Sequence, residues 1–263
     1  MRKISTNDIL TYELCPHKWW LKKQGTLKKE QRQLIARYRF GSALHEAARK
    51  YFIEKEDIEK AFNDYWGRYK PPYPIEYRPG ESWELFQKMG EKLTEDLKNE
   101  MPDYLEPVIA ESRMKLETDF WIYTGQPDLV SYNKAKERYV VLDYKTTQEI
   151  IPSIWVRNSI QLTSGVMLAH HNYNLPLPMD VVICNFHIVN LGIEWIWDTR
   201  TSLDVDELKR KINYKVNQMD SGHHDKRSLF PFHTPCAWCD CTEECRNMKQ
   251  VETIDSLSEF ATL

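Results

Sequence analysis

The chain has 263 residues, 41% of them hydrophobic and 29% charged, with a formal net charge of −3. That describes one large globular domain, or one domain with an insertion, with enough apolar surface for a core. No run of eighteen apolar residues exists, which excludes a membrane-spanning helix, and "MRKISTNDILTYELCPHKWW" lacks the apolar stretch of a signal peptide. A cytoplasmic address is therefore expected, where thiols stay reduced and clustered cysteines bind metal more often than they form disulfides.

A helix signal opens the chain. Ser5 and Thr6 can cap it, Asp8 follows in the first turn, and Ile9, Leu10, Leu14 and Leu21 give an apolar stripe to about residue 23. From Pro16 to Phe40 eight lysines and arginines stand against Glu30 alone, so the rest of the chain carries the acidic excess. In this segment Lys18, Lys22, Lys23, Lys28 and Lys29 alternate with Trp19, Trp20, Tyr38 and Phe40. Such a run fits phosphate contact plus base stacking on single-stranded nucleic acid. It equally fits a solvated helix face whose tryptophans belong to the core.

A second helix is expected from near Gly41 through "SALHEAARKYF", and two more at about 57–69 and 82–100. The last shows Phe86, Met89, Leu93 and Leu97 at spacings of three and four. "KPPYPIEYRPG" between them is a loop by its prolines. The stretch of about 50–105 reads as a helical insertion within a single domain spanning 1–263.

Three strand-like runs follow, near 108–118, 119–132 and 138–145, with breaks at Gly125 and "NKAKE", and they predict an antiparallel meander. A helix over about 154–171 leads to the strand "DVVICNFHIV", the turn "NLG" and the strand "IEWIWDT". Asp204, with Glu207 three residues on, caps a final helix bearing Leu208, Ile212, Val216 and Met219 on one face. The order predicts an α/β protein whose mixed central sheet, the meander plus further strands, is flanked by helices.

Two carboxylates stand out by position. Asp128 in "GQPDLV" follows a glycine kink, and Asp143 in "VVLDYKTT" ends an apolar strand with Lys145 two residues on. Alternation puts Asp143 and Lys145 on one face and Tyr144 on the other. A neighbouring strand can bring Asp128 alongside Asp143, and a divalent cation relieves the repulsion between two close carboxylates. The backbone carbonyl of Tyr144 can add a hard oxygen, so Mg²⁺ or Mn²⁺ suits the site. Lys145 beside it can hold an attacking water and offset charge building on a phosphate. A surface salt bridge is the bland alternative for any Asp-x-Lys.

"GQPDLV" with "VVLDYKTT" resembles the catalytic signature of the PD-(D/E)XK nuclease superfamily. "FGSALHEAA" is similar to the G-x-x-x-H motif of its RecB-like branch, and "IQLTSG" to the Gln-x-x-x-Tyr motif. "ILTYELCPHKWW" resembles the L-x-x-Y-x-x-C-P opening of members with an iron–sulfur cluster, such as the AddB nuclease domain and the CRISPR-adaptation Cas exonucleases. The resemblance implies a restriction-endonuclease-like core. His45, Asp128 and Asp143 would hold the metal, Lys145 would be the catalytic lysine and Gln161 would position substrate or the site itself. The family tyrosine falls at Gly165, a departure that bears on substrate contacts.

"CAWCDCTEEC", Cys236 to Cys245, holds four of the six cysteines. In the cluster-bearing relatives an N-terminal Cys joins a C-terminal C-x2-C-x5-C. The resemblance therefore implies a 4Fe–4S cluster on Cys15, Cys236, Cys239 and Cys245, tying the two ends of the chain together. A local zinc site from Cys236, Cys239, Cys241 and Cys245 is the alternative; it leaves Cys15 without a role, and its Cys-x-Cys step is cramped. Cys184 reads as a buried core thiol.

The function this implies is a metal-dependent DNA exonuclease acting on single strands or ends, in recombination, repair, phage replication or CRISPR adaptation. No G-x-x-x-x-G-K-[ST] is present, so unwinding would come from a helicase; a recombinase or integrase is the other class of partner expected. Two readings compete: a non-catalytic DNA-end-binding or scaffolding subunit of the same fold, and a zinc-stapled structural protein.

Overall fold

The computed structural model describes residues 1–25 and 35–222, together with residues 224, 239, 241, 244 and 245. The chain divides into two compact units, Met1–Thr6 with Glu30–Arg210, and Asn7–Lys29 with Lys211–Leu263. In order the elements are β1 (Arg2–Ser5), α1 (Thr6–Leu14), α2 (Pro16–Lys23), α3 (Ala36–Arg49), α4 (Ile58–Trp66) and α5 (Trp83–Glu100). Five strands follow: β2 (Leu105–Ala110), β3 (Met114–Glu117), β4 (Trp121–Gly125), β5 (Leu129–Asn133) and β6 (Arg138–Thr147). The chain continues with α6 (Ser153–Arg157), α7 (Ile160–Tyr173), β7 (Met179–His187), β8 (Gly192–Arg200) and α8 (Ser202–Asp220).

The first unit is built on a five-stranded sheet in the order β2-β5-β6-β7-β8. Only β6 and β7 run parallel, and the α6–α7 segment supplies the crossover that a parallel pair requires. Every residue of β7 is buried, as its nearly unbroken apolar run suggests for a strand covered on both faces. Val140, Leu142 and Tyr144 of β6 face an aromatic core shared with α3, α4 and α5. In that core Phe40 meets Phe62, Trp66 and Phe86 at centroid distances of 4.9–6.0 Å. Gly90 of α5 is there because a Cβ would fall 1.9 Å from the Phe62 ring. The helical stretch at 58–100 thus builds one layer over the sheet.

The other face of β6 carries Val141, Asp143 and Lys145 towards α7. A Cβ on Gly165 of α7 would come 2.7 Å from Val141 Cγ1, so α7 lies against the sheet with no room for a side chain at that point. A larger residue at this position requires Val141 or the helix to shift. A smaller sheet, β1-β4-β3, has β1 parallel to β4 and β3 antiparallel to it. Its Tyr123 hydroxyl bonds Ser164 of α7 at 2.7 Å.

In the second unit Cys15 interrupts the opening helix. It is the N-cap of α2, with extended backbone, its Sγ accepting the Lys18 N–H at 3.4 Å, and Pro16 opens the new helix. Asp8 accepts the Trp19 indole N–H at 3.1 Å and pairs with Lys23 at 2.8 Å. Lys211 pairs with Glu13 at 2.8 Å.

Several expectations need correction. The predicted meander of three strands is five strands in two sheets. Glu111, at φ +47, turns the chain after β2, and "GQP" at 125–127 ends β4 before β5 begins. The opening helix is preceded by a strand that absorbs Ser5, and is split at Cys15. The second helix begins at Ala36, with Gly41 inside it. The last helix is capped from Thr201, whose N–H and hydroxyl both bond Asp204 Oδ2 at 2.7 Å, so Asp204 is the closing N3 residue of a capping box instead of its cap. Among the described residues no helix is long and apolar enough to cross a membrane.

Candidate active site

The antiparallel register of β5 on β6 pairs Leu129 with Leu142, which sets Asp128 opposite Asp143. This is the juxtaposition that the spacing of the two carboxylates anticipated. Asp128 Oδ2 is fixed by the Tyr144 N–H at 2.7 Å. Beyond β5 lies β2, whose last pair, Ala110 with Leu129, places Glu111 beside Asp128; the Glu111 N–H donates to the Asp128 carbonyl at 3.1 Å. His45 arrives from α3, its Nδ1 3.5 Å from Asp128 Oδ2 and 4.0 Å from Glu111 Oε1.

Ligand atoms of His45, Glu111 and Asp128 all lie within 4.8 Å of one another, a spacing that a single hard cation can span. The sequence reading missed Glu111. It had run one strand through 108–118, in which Glu111 is an ordinary mid-strand acid. No local signal in "IAESR" marks it.

Asp143 takes part in a second, adjoining network. Lys145 Nζ lies 2.6 Å from Asp143 Oδ2 and donates to Gln161 Oε1 at 3.0 Å, while Gln161 Nε2 donates to Asp143 Oδ1 at 2.6 Å. The triangle closes on itself, so each side chain fixes the other two. Gln161 lies in the first turn of α7, a helix started by Ser159, whose hydroxyl accepts the Leu162 N–H at 3.2 Å.

Electrostatics mark the same place. Burial pushes the Asp143 carboxyl up to about 6; the nearby Lys145 opposes this and the Asp128 charge adds to it. Burial, then the Asp128 charge, raises Glu111 as well. At His45 burial works against the protonated ring, but the bond to Asp128 and the charges of Asp128, Asp143 and Glu111 outweigh it and raise its pKa. Carboxylates held together at this cost form a site that a cation would relieve.

His45, Glu111, Tyr144 and Lys145 border a cleft of about 880 Å³. One face of α3 lines it with Arg37, Tyr38, Ser42, His45 and Arg49. Arg37 pairs with Glu81 at 2.5 Å, and Arg49 with Glu46 at 2.8 Å and Glu54 at 2.6 Å.

The basic segment is less available than its composition suggests. Lys18 is 9% exposed, Trp19 and Phe40 are buried, and Lys23 is paired with Asp8; Tyr38 is 57% exposed. Lys28, Lys29 and Cys236 lie outside the described residues. Cys15, Cys239, Cys241 and Cys245 belong to the second unit, with Cys241 buried and the Cys239 Sγ accepting the Cys241 N–H at 3.4 Å. Cys184 is fully buried in β7.

The family model of the PD-(D/E)XK nuclease superfamily matches residues 3–246. A solved structure from Eubacterium rectale, provisionally named an exonuclease, aligns with 92% of this chain and 88% of its own, at 13% identity and a TM-score of 0.54. At that identity the likeness speaks to the fold. A second solved structure, SSO0001, covers 82% of this chain and 77% of its own at 12% identity, with a TM-score of 0.32. No curated protein matches the chain.

Proposed function

The chain belongs to the PD-(D/E)XK nuclease superfamily, and on that premise we propose that it is a metal-dependent DNA exonuclease acting on single strands or ends. One observation carries the reading: the closed Asp143–Lys145–Gln161 network adjoins the His45, Glu111 and Asp128 cage, and Lys145, His45 and Glu111 open onto the same cleft. A surface salt bridge would have no need of a buried carboxylate, a glutamine clamp and three convergent ligand atoms.

Asp128, His45 and Glu111 would hold the cation, with Asp143 and the Tyr144 carbonyl completing its shell. Oxygen donors with one imidazole suit Mg²⁺ or Mn²⁺, the imidazole leaning the choice towards Mn²⁺. When bound, such an ion supplies Lewis acidity at the phosphate and lowers the pKa of water.

The side chains do the rest. Lys145 Nζ, held by Asp143 and Gln161, presents its protons to oxygens on which negative charge grows in the transition state. Gln161 keeps that ammonium in place as the charge moves. Arg37 and Arg49 line the cleft where flanking phosphates would lie, and Tyr38 offers a ring to a base. Lys22 and Lys23, with Lys28 and Lys29, would contribute phosphate contacts of their own.

The second unit would carry a 4Fe–4S cluster on Cys15, Cys236, Cys239 and Cys245, placing the chain in the RecB-like branch. Backbone N–H groups already reach the Cys15 and Cys239 sulfurs, contacts of the kind that surround cluster-ligating cysteines, and these support the reading. Exonuclease action is also the designation of the Eubacterium rectale neighbour.

The test is digestion of end-labelled single- and double-stranded DNA by anaerobically purified protein with Mg²⁺, Mn²⁺ or chelator. Stepwise release of nucleotides from single strands with metal, and none from Asp143→Ala, is expected. Wild-type rates in Asp143→Ala would remove the reading.

A further inference from the structure

A second cavity of about 250 Å³ shares Arg37 and Thr146 with the active-site cleft. Phe40 and Phe86, both buried, line it, with Ile151 and Ile188. Ile150 and Trp155, which are 70% and 62% exposed, line it too, and Thr147, Gln148 and Glu149 complete its wall. Exposed apolar side chains gathered beside a catalytic cleft call for a ligand. The loop that carries Ile150 and leads into α6 is anchored at its start: the Thr147 hydroxyl bonds the Glu149 carbonyl at 2.6 Å and Asn185 Oδ1 at 2.9 Å, and the Thr147 carbonyl accepts the Ile188 N–H at 3.0 Å.

We propose that this side pocket receives one unstacked nucleobase of the DNA strand whose scissile phosphate sits at the Asp143–Lys145 site. The inference deepens the nuclease reading and rests on it. Placement comes first: Thr147 is two residues beyond Lys145 on β6, about 7 Å along the strand, close to the step from one nucleotide to the next in an extended single strand. Charge comes second. Glu149 borders the pocket and repels a phosphate, while Arg37 stands on the wall shared with the cleft. Base inside and backbone outside is the arrangement that satisfies both. Chemistry comes third, because an indole with isoleucines and phenylalanines around it stacks any base without reading its edge. A base paired in a duplex cannot enter, so the pocket selects unpaired DNA whatever its sequence.

The experiment is fluorescence anisotropy in chelator, which separates binding from cleavage. Labelled oligodeoxythymidylate is compared with a strand of equal length and charge made entirely of abasic tetrahydrofuran residues. Wild type should prefer the base-containing strand. Trp155→Ala should bind that strand about tenfold more weakly, the effect of losing one stacked base, and the abasic strand as before. Trp155→Phe should keep most of the preference, and the salt dependence should not change, since no phosphate contact is lost. Trp155→Ala binding both strands like wild type overturns the pocket, as does an equal loss on both. If wild type still degrades DNA with Mn²⁺ in that event, the nuclease reading stands and only the base pocket falls; a wild type that neither binds nor degrades DNA refutes both.

Discussion

Replacing Asp143 with Asn should stabilise the metal-free protein at neutral pH while ending its activity. The carboxyl is pushed from its ordinary 3.8 up to about 6, chiefly by burial, despite Lys145 at 2.6 Å. A folded-state pKa above the unfolded value means that folding favours the protonated form. This group therefore costs stability as pH rises from about 4 to 6, and the full cost stands above that window. Two pH units amount to about 3 kcal/mol, of which about 1 is already present at pH 4.5. Asn cannot ionise, so its advantage over Asp should grow by about 2 kcal/mol between pH 4.5 and 7.5, or about 4–8 °C in Tm for a unit of this size. Changes in packing or hydrogen bonding that do not titrate shift both ends equally and cancel in the comparison. Thermal unfolding of the two proteins in chelator at both pH values measures it. Saturating Mn²⁺ should then narrow or reverse the gap, because wild type, with the Asp143 carboxylate in the shell, gains more binding energy from the ion than the variant. A wild-type-to-variant gap that is the same at pH 4.5 and 7.5 would refute the argument that a buried, strained carboxylate waits for a cation.

Other outcomes follow from the same geometry. Glu111→Gln should weaken Mn²⁺ binding by at least tenfold in calorimetry without lowering thermal stability; unchanged affinity would make Glu111 a bystander of the His45 and Asp128 pair. Gly165→Ala should cost about 1–2 kcal/mol, overpacking against Val141 exceeding the helix-propensity gain, and chemical denaturation that shows no loss would mean α7 can retreat freely. Cys15→Ser and Cys239→Ser should give colourless protein, while Cys241→Ser stays brown; bleaching by Cys241→Ser alone would restore the local four-cysteine zinc site.

The chemistry was more legible in the sequence than the chain path was. Asp143 and Lys145 are two apart on a strand, so their sharing a face follows from alternation alone, and the structure bears it out at 2.6 Å. Asp128 lies fifteen residues upstream, and a hairpin between the two strands was enough to bring it opposite. Glu111 was beyond that reach. Its position depends on a left-handed backbone at φ +47 and on β2 pairing with β5 instead of continuing into β3, and neither has a local signature in "IAESR". The aromatic residues of the basic segment had two readings, base stacking or core. Trp19 and Phe40 sit among lysines and arginines, yet both are buried as the core reading has it, because a ring flanked by charges can still face inward on a helix.

Gly165 shows how a departure from a family motif can have a local physical cause. The residue follows Gln161 by one turn of α7, on the side that meets β6 at Val141. Close approach of the helix brings Gln161 within hydrogen-bond distance of both Asp143 and Lys145, and a bulky residue at 165 would lift α7 from the strand. Absence of the tyrosine and presence of the tight Gln161 clamp are then two aspects of one contact. A variant that holds α7 away from β6 should lengthen the Gln161 bonds, and Lys145 would lose the partner that keeps its ammonium aimed at the cleft.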